Sequence, residues 1–210
     1  MKKKGILIVV SGFSGSGKGT LMKQLLKEFY CYALSISATT RAPREGEENG
    51  RDYFFVTKDC FRQMIREGAL YEYASYQDNY YGTPRQYVDD RLAEGKDVIL
   101  EIDVQGAEKI KQRFPDTVLV FVTPPSAEEL RRRLVGRGTE TIEKINGRLA
   151  RAVEEARFMP FYDYVLINDD LALCVKELHS IIRSEHMKAR RSQELIMTLT
   201  DELAQITKGE

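Results

Sequence analysis

The segment Gly12-Phe13-Ser14-Gly15-Ser16-Gly17-Lys18-Gly19-Thr20 has the residue types and spacing to hold a phosphate. Glycines let successive backbone N–H groups curl around an anion, and a helix starting at the lysine adds its dipole. Lys18 brings a mobile cation to outer phosphate oxygens. The apolar run 6–10 before this segment, and Leu21, Leu25 and Leu26 after it, give the strand–turn–helix setting such a loop needs. A glycine-rich turn alone is also compatible with a simple tight turn. The strict motif places a hydroxyl directly after the lysine; here Gly19 takes that position and the hydroxyl follows at Thr20. Which oxygen would face a Mg²⁺ ion therefore stays open.

A second group of anion-binding residues lies at Arg41 and Arg44. Pro43 biases Ala42 toward an extended backbone, so both arginines belong to a loop. With Ser37, Thr39 and Thr40 beside them, their guanidinium forks suit a phosphate. The other reading is a solvated basic turn paired with Glu45, Glu47 and Glu48. Glu72, between Tyr71 and Tyr73, is either an exposed edge residue or a recognition carboxylate. A carboxylate accepts two parallel hydrogen bonds, which guanine offers from N1–H and its exocyclic amine and adenine does not. Thr83 before Pro84 reads as a helix cap with proline in the first helical position. Asp103 sits at the carboxyl end of an apolar run, where open α/β sheets bind ligands. Arg133 and Arg137 are four apart on one helix face, and Arg148 and Arg151 lie on the next helix. They read as a solvated, ion-paired face or as a lid over a phosphoryl group. His179 and His186 read as helix-surface residues.

These residues are carried by an alternation of strands and helices. Apolar runs at 6–10, 98–102, 118–122 and 164–167 lack clean alternation, as expected for parallel strands buried on both faces, and 34–36 is a fifth candidate. Helical patterns span 18–29, 84–95, 105–113, 126–136, 141–157 and 170 onward, with the last forty residues predicted as one long helix. The alternation predicts a doubly wound α/β sheet. Between 36 and 90 the pattern breaks into short aromatic strands around 53–56 and 70–75, with seven of the 11 tyrosines between Tyr53 and Tyr87. This predicts an inserted lobe with a ligand cleft between it and the phosphate loop. From about Arg191 the terminal helix is amphipathic, able to pack on the core or on a partner.

Across 210 residues, 32 basic and 32 acidic side chains cancel, which removes the bulk electrostatic case for nucleic acid or a membrane surface. Cys31, Cys60 and Cys174 are odd in number and lack metal spacing, so they read as free thiols in a reducing compartment. The apolar run after Lys4 is too short for a signal-peptide core or a membrane span. A cytoplasmic location is expected.

Five motifs together resemble the guanylate kinase family: Ser-x-Ser-x-Thr-Thr-Arg-x-Pro-Arg-x-Gly-Glu at 35–47, Asn-Gly-x-Asp-Tyr at 49–53, Asn-Tyr-Tyr-Gly-Thr at 79–83, Ile-Asp-Val-Gln-Gly at 102–106 and Gly-Arg-Gly-Thr-Glu at 136–140. The resemblance runs from about residue 6 to 183. It implies a single α/β domain with a P-loop kinase core (1–35, 91–123, 158–190), a small monophosphate-binding lobe (36–90), a helical lid (124–157) and a C-terminal helical extension (191–210). It implies ATP-dependent phosphorylation of GMP, and of dGMP, to the diphosphate in purine nucleotide metabolism, with Mg²⁺ held mainly by ATP phosphates and water and Thr20 or Asp103 as protein ligands. Gly12, Ser14, Gly15, Ser16, Gly17, Lys18, Gly19, Thr20, Arg133, Arg137 and Asn168 would contact ATP, Asn168 near its base. Arg41, Arg44, Tyr53 and Tyr81 would hold the GMP phosphate, Ser37, Glu72, Thr83 and Asp103 would line the guanine pocket, and Glu47 and Gly82 would also contact GMP. Lys18, Arg41, Arg137 and Arg148 would carry catalysis. Phe13 stands where the family commonly has proline, a change expected to matter little. No nucleic-acid or membrane partner is implied, and self-association is left open. A phosphopeptide-binding module of the same fold lacks an intact loop of this kind, and a P-loop kinase with another acceptor would not need the Glu72–Thr83 pair.

Overall fold

The computed structural model describes residues 4–76, 78–136 and 141–207. Its centre is a five-stranded, all-parallel sheet ordered β2-β7-β1-β8-β9, built from β1 (Leu7–Gly12), β2 (Tyr32–Leu34), β7 (Asp97–Glu101), β8 (Val118–Thr123) and β9 (Tyr164–Ile167). Both faces are covered. Ile8, Val10, Val120 and Val122 pack against α1 (Lys18–Glu28) and α7 (Leu171–His186), while Val9, Val98, Leu100 and Leu119 pack against α3 (Arg85–Ala93) and α4 (Val104–Arg113). Two-sided burial removes polar alternation from β1, β7 and β8, whereas Val165 and Ile167 of the outer strand β9 are exposed. The fifth strand lies two residues before its predicted place.

A third cluster joins Phe13 and Phe121 to Leu130 and Leu134 of α5 (Ala127–Gly136) and to Ile145 and Ala152 of α6 (Ile142–Ala156). Phe13 is buried and meets Phe121 edge-on at 5.0 Å between ring centroids. Such a pair adds about 0.5–1.5 kcal/mol beyond burial. Phe13 therefore anchors the glycine loop to the helical segment, a larger part than the sequence comparison assigned to it.

The insert forms a mixed sheet ordered β4-β3-β6-β5 from β3 (Ala38–Thr39), β4 (Phe54–Phe55), β5 (Leu70–Tyr76) and β6 (Asn79–Pro84). It holds a helix the sequence reading passed over, α2 (Lys58–Arg66), capped by Thr57, whose hydroxyl accepts from Cys60 N at 3.1 Å. Phe61 of α2 is fully buried against Ala38 and Leu70.

One predicted cap changes role and one cap was not predicted. Pro84 remains in β6 and precedes the first helical residue Arg85, and the Thr83 hydroxyl donates to Glu72 instead of capping α3. Asp103 caps α4, accepting from Gly106 N at 2.9 Å.

The terminal helix is not continuous: α7 ends at His186, a 3₁₀ turn spans Ala189–Arg191, and α8 runs Gln193–Ile206. No glycine or proline marks the break. Buried Glu185 causes it by accepting from Tyr164 Oη at 2.6 Å and Lys188 Nζ at 2.5 Å, with Arg190 and Arg191 each 3.8 Å away. Burial opposes its charge, but the bonds from Lys188 and Tyr164 outweigh that and hold the carboxyl below its ordinary range. Arg191 also donates to Asp116 O at 2.6 Å, pinning the turn to the connection between α4 and β8.

The histidines of α7 are half-buried at its packed side. His179 stacks on Phe29 at 3.9 Å and bonds Tyr32 Oη, and His186 Nε2 bonds Asp97 at 2.8 and 3.0 Å. The cysteines are free thiols. Among the described residues no helix is long and apolar enough to cross a membrane.

Candidate active site

β1 delivers Gly12 to the carboxyl end of the sheet, and the chain turns through Gly15 (φ 96°) and Gly17 (φ 89°) into α1. Side chains at these positions would be strained, and a Cβ on Gly17 would lie 2.4 Å from Asn168 Nδ2. That amide donates to Ser16 O at 2.8 Å, and Arg133 Nη1 reaches the same carbonyl at 3.5 Å. Asn168 is thus buried against the loop. Arg133 is oriented by Glu129, whose carboxyl is lowered to about 2 by its hydrogen bonds from Arg132 and Arg133. Lys18 Nζ donates to Gly12 O at 2.6 Å and Phe13 O at 3.0 Å, which holds the ammonium at the mouth of the loop. Arg148 of α6 donates to the Ser14 hydroxyl, joining the helical segment to the same loop.

An open cleft of about 830 Å³ fronts this loop, and its walls bring together Gly12, Ser14, Lys18, Arg44, Asp103 and Arg148. Arg44, from the insert, therefore faces the lysine. Thr20 is exposed in the first turn of α1. Arg137 lies outside the described residues. Sequence reasoning missed Glu101, Lys144 and Glu155, which line the same cleft. Glu101 was findable: it is two residues before Asp103, at the strand end facing the loop.

At the insert end, Arg41 forms a two-pronged pair with Glu47, at 2.8 and 2.9 Å, and lies 5.2 Å from the Tyr53 ring centroid. The bonds from Arg41, then that from Arg44 N, hold the Glu47 carboxyl at about 2. Tyr53 packs edge-on against Tyr81 at 6.2 Å. Ser37 is half-buried and gives its carbonyl to Phe54 N. Gly82 is squeezed: a Cβ there would sit 2.8 Å from Glu72 O and 3.0 Å from Phe61.

Glu72 is only 9% exposed although β5 is the outer strand of its sheet, which removes the exposed reading. Its Oε1 accepts from fully buried Thr83 at 2.8 Å. Burial pushes its carboxyl above the ordinary range, with the Thr83 bond opposing and Asp103 reinforcing the shift. Gly106 lies between the two acids: a Cβ there would be in ordinary contact with Glu72 Oε2 at 3.4 Å and Asp103 Oδ1 at 3.5 Å. Asp103 also faces Arg151 of α6 at 3.6 Å. Beside this corner lies a cavity of about 750 Å³ lined by Ala74, Ser75, Tyr81, Asp103 and Gln105.

A glycine–lysine loop thus lies at one end of the site and a buried carboxylate–hydroxyl pair at the other. The guanylate kinase family model matches residues 4–185. The chain belongs to the guanylate kinase family. It is 49% identical to the guanylate kinase of Lactococcus lactis subsp. lactis over 97% of this chain and 99% of that protein. It is 48% identical to that of Caldanaerobacter subterraneus subsp. tengcongensis over 96% and 98%. Among solved structures, guanylate kinase from Anaplasma phagocytophilum superposes with a TM-score of 0.73 at 34% identity, covering 91% of each chain.

Proposed function

We propose that this guanylate kinase family chain transfers the γ-phosphoryl group of ATP to GMP, and to dGMP, giving ADP and the nucleoside diphosphate. The observation that carries this reading is the single cleft with Lys18 and Arg148 on one wall and Arg44 on the other, beside a buried Glu72–Thr83 pair. A phosphate oxygen of GMP attacks the γ-phosphorus, the bond to the bridging oxygen of ADP breaks, and the electron pair leaves with ADP. Both partners are phosphates, so no strong base is needed, and catalysis is positioning with charge neutralisation.

In this reading the backbone N–H groups of 12–20 and Lys18 hold the ATP phosphates. Arg133, Arg137 and Arg148 neutralise them from the lid segment 124–157. Asn168 acts by holding Ser16, and so the loop, in shape. Arg41, Arg44, Tyr53 and Tyr81 take the GMP phosphate, with Glu47 orienting Arg41 and Gly82 making room. Glu72 accepts two hydrogen bonds from guanine while Thr83, Ser37 and Asp103 complete the pocket of lobe 36–90. The core comprises 1–35, 91–123 and 158–190. Mg²⁺ would be held mainly by phosphate and water, with Thr20 and Asp103 as hard oxygen donors. Asp103 fits that part as a carboxylate lining the cleft, with one oxygen capping α4 and the other facing Arg151 at 3.6 Å. The ion would neutralise charge on the transferring phosphate.

The experiment is ADP release from Mg²⁺-ATP with GMP, dGMP, AMP, UMP, dTMP and a ribose bisphosphate offered in parallel. Release with the guanine nucleotides alone is expected. Release with another acceptor overturns the Glu72 assignment, and tight GMP binding without release overturns the kinase reading.

A further inference from the structure

A second cavity, of about 570 Å³, lies at the opposite end of the sheet from the cleft, where β1 and β8 begin. It is bounded by Lys4 before β1, Arg85 and Asp89 of α3, Thr117 before β8, and Arg191 of the 3₁₀ turn. None of these residues has a part in the reaction assigned above.

Its most unusual member is Arg85, which is half-buried. The guanidinium lies 5.2 Å from the ring centroid of Tyr71 and 5.6 Å from that of Phe114. Its Nε is buried without a hydrogen-bond partner, and no ion pair joins it to any described residue. Asp89, one turn along α3, is the acid placed to pair with it, but accepts from the Tyr71 hydroxyl instead. Two more unpartnered groups belong to the same lining. Thr117 is 2% exposed and its hydroxyl has no partner. Arg191 Nε is buried and unpartnered, although Nη2 of the same side chain donates to Asp116 O. A guanidinium only donates and a hydroxyl is able to, so the partner that all three lack is an acceptor.

Charge makes that acceptor an anion. Lys4, Arg85 and Arg191 stand against Asp89 and Asp116 in the lining, and Arg113 adds a cation 5.6 Å from the Phe114 ring. Glu185 is 3.8 Å from Arg191, but it is already bonded by Lys188 and Tyr164. Two guanidinium forks with a hydroxyl match the several oxygens of a phosphate better than the two of a carboxylate. The volume suits a small molecule, and Leu92 and Ala93 supply apolar wall for an organic body. We propose that this cavity binds a phosphate group, free or carried by a small organic molecule, independently of the cleft. Tyr71 directly precedes Glu72 on β5, and Arg85 follows Thr83 by two residues, its N–H donating to Ala69 O at 2.8 Å. An anion held there braces the two strands that carry Glu72 and Thr83. The binding itself does not rest on the reaction assigned above.

The test is calorimetric titration of the full chain with inorganic pyrophosphate, which the glycine loop should also accept. Two classes of site are expected. Lys18→Ala should weaken one class, and Arg85→Gln should weaken the other about 10–100-fold. Inorganic phosphate and AMP, titrated into the same proteins, separate the sources. Equal Arg85-dependent affinity assigns the free ion, and tighter AMP assigns an organic phosphate. Thr117→Val keeps nearly the same shape and removes a hydroxyl that has no partner. It should leave the melting temperature unchanged or raised and still weaken the second class about 3–10-fold. A single class of site overturns the proposal. So does a second class that is indifferent to Arg85→Gln, or one that Thr117→Val leaves at full affinity.

Discussion

Around Gly12–Lys18, the polar groups are tied into the sheet. β1 is paired along its length with β7 and β8, and the loop is held from outside by Asn168, Arg133 and Arg148. Around Arg41–Glu47, by contrast, the supporting strands β3 and β4 are two residues long, and one carboxylate holds the arginine in place. The loop is therefore set by backbone geometry, which a side chain can only break. The insert is set by side-chain charge and burial, which substitution can tune. The two ends should fail differently.

The largest separation is expected from Lys18→Ala. Removing a preorganised cation from a transferring phosphate should lower kcat by about 10³-fold or more, while GMP binding, measured by calorimetry, stays within a few-fold. Wild-type turnover would remove the loop from the reaction. Gly17→Ala tests the same end through the backbone: a Cβ 2.4 Å from the Asn168 amide, at φ 89°, must displace the loop. It should cost ATP affinity and leave GMP affinity intact.

At the other end, Glu72→Gln should raise the KM for GMP by about 10²-fold, because one acceptor is lost and a mismatched buried donor is gained. Equal effects on ATP and GMP would take Glu72 out of the guanine pocket. Glu47→Gln is a milder change. It leaves Arg41 in place but removes the charge that aims it, and about a 10-fold rise in KM for GMP is expected, with the KM for ATP unmoved.

The same contrast governs what could be read from the sequence. The loop was legible because its signals are local: an apolar strand, glycines at fixed offsets, and a lysine at a helix start. The core strands fell within two residues of their places because burial on both faces leaves continuous apolar runs. The insert was less legible. Helix α2 is nine residues long and was passed over, although Thr57 as cap and the Phe61, Met64, Ile65 spacing marked it. Thr83 was misread because Thr-Pro before a helix is a good cap signal, and only burial beside Glu72 reassigns its hydroxyl. Glu72 kept two readings, exposed edge or recognition carboxylate, since nothing local foretells that a bulge between Leu70 and Tyr73 and the packing of α4 enclose it. The break after His186 depends on Tyr164 and Asp116, distant in sequence, reaching Glu185 and Arg191.

The smallest and sharpest test is pH, because it separates two carboxylates within the insert. Glu47 is held at about 2 by Arg41 and Arg44, so it stays ionised throughout the working range. Glu72 is shifted upward, first by burial. Guanine recognition needs its carboxylate, so the KM for GMP should rise as pH falls through that raised value, above the ordinary glutamate pKa of about 4.3. Stability moves oppositely. An acid whose folded-state pKa is raised favours the folded state below the unfolded value, and that contribution is lost as pH rises through the folded one. Acidification should thus weaken GMP while Glu72's own contribution to the fold grows against the losses from Glu47, Glu129 and Glu185, and Glu72→Gln should remove both Glu72 effects. An acid limb in the KM for GMP that persists in Glu72→Gln would assign the titration to another group and return Glu72 to a packing role.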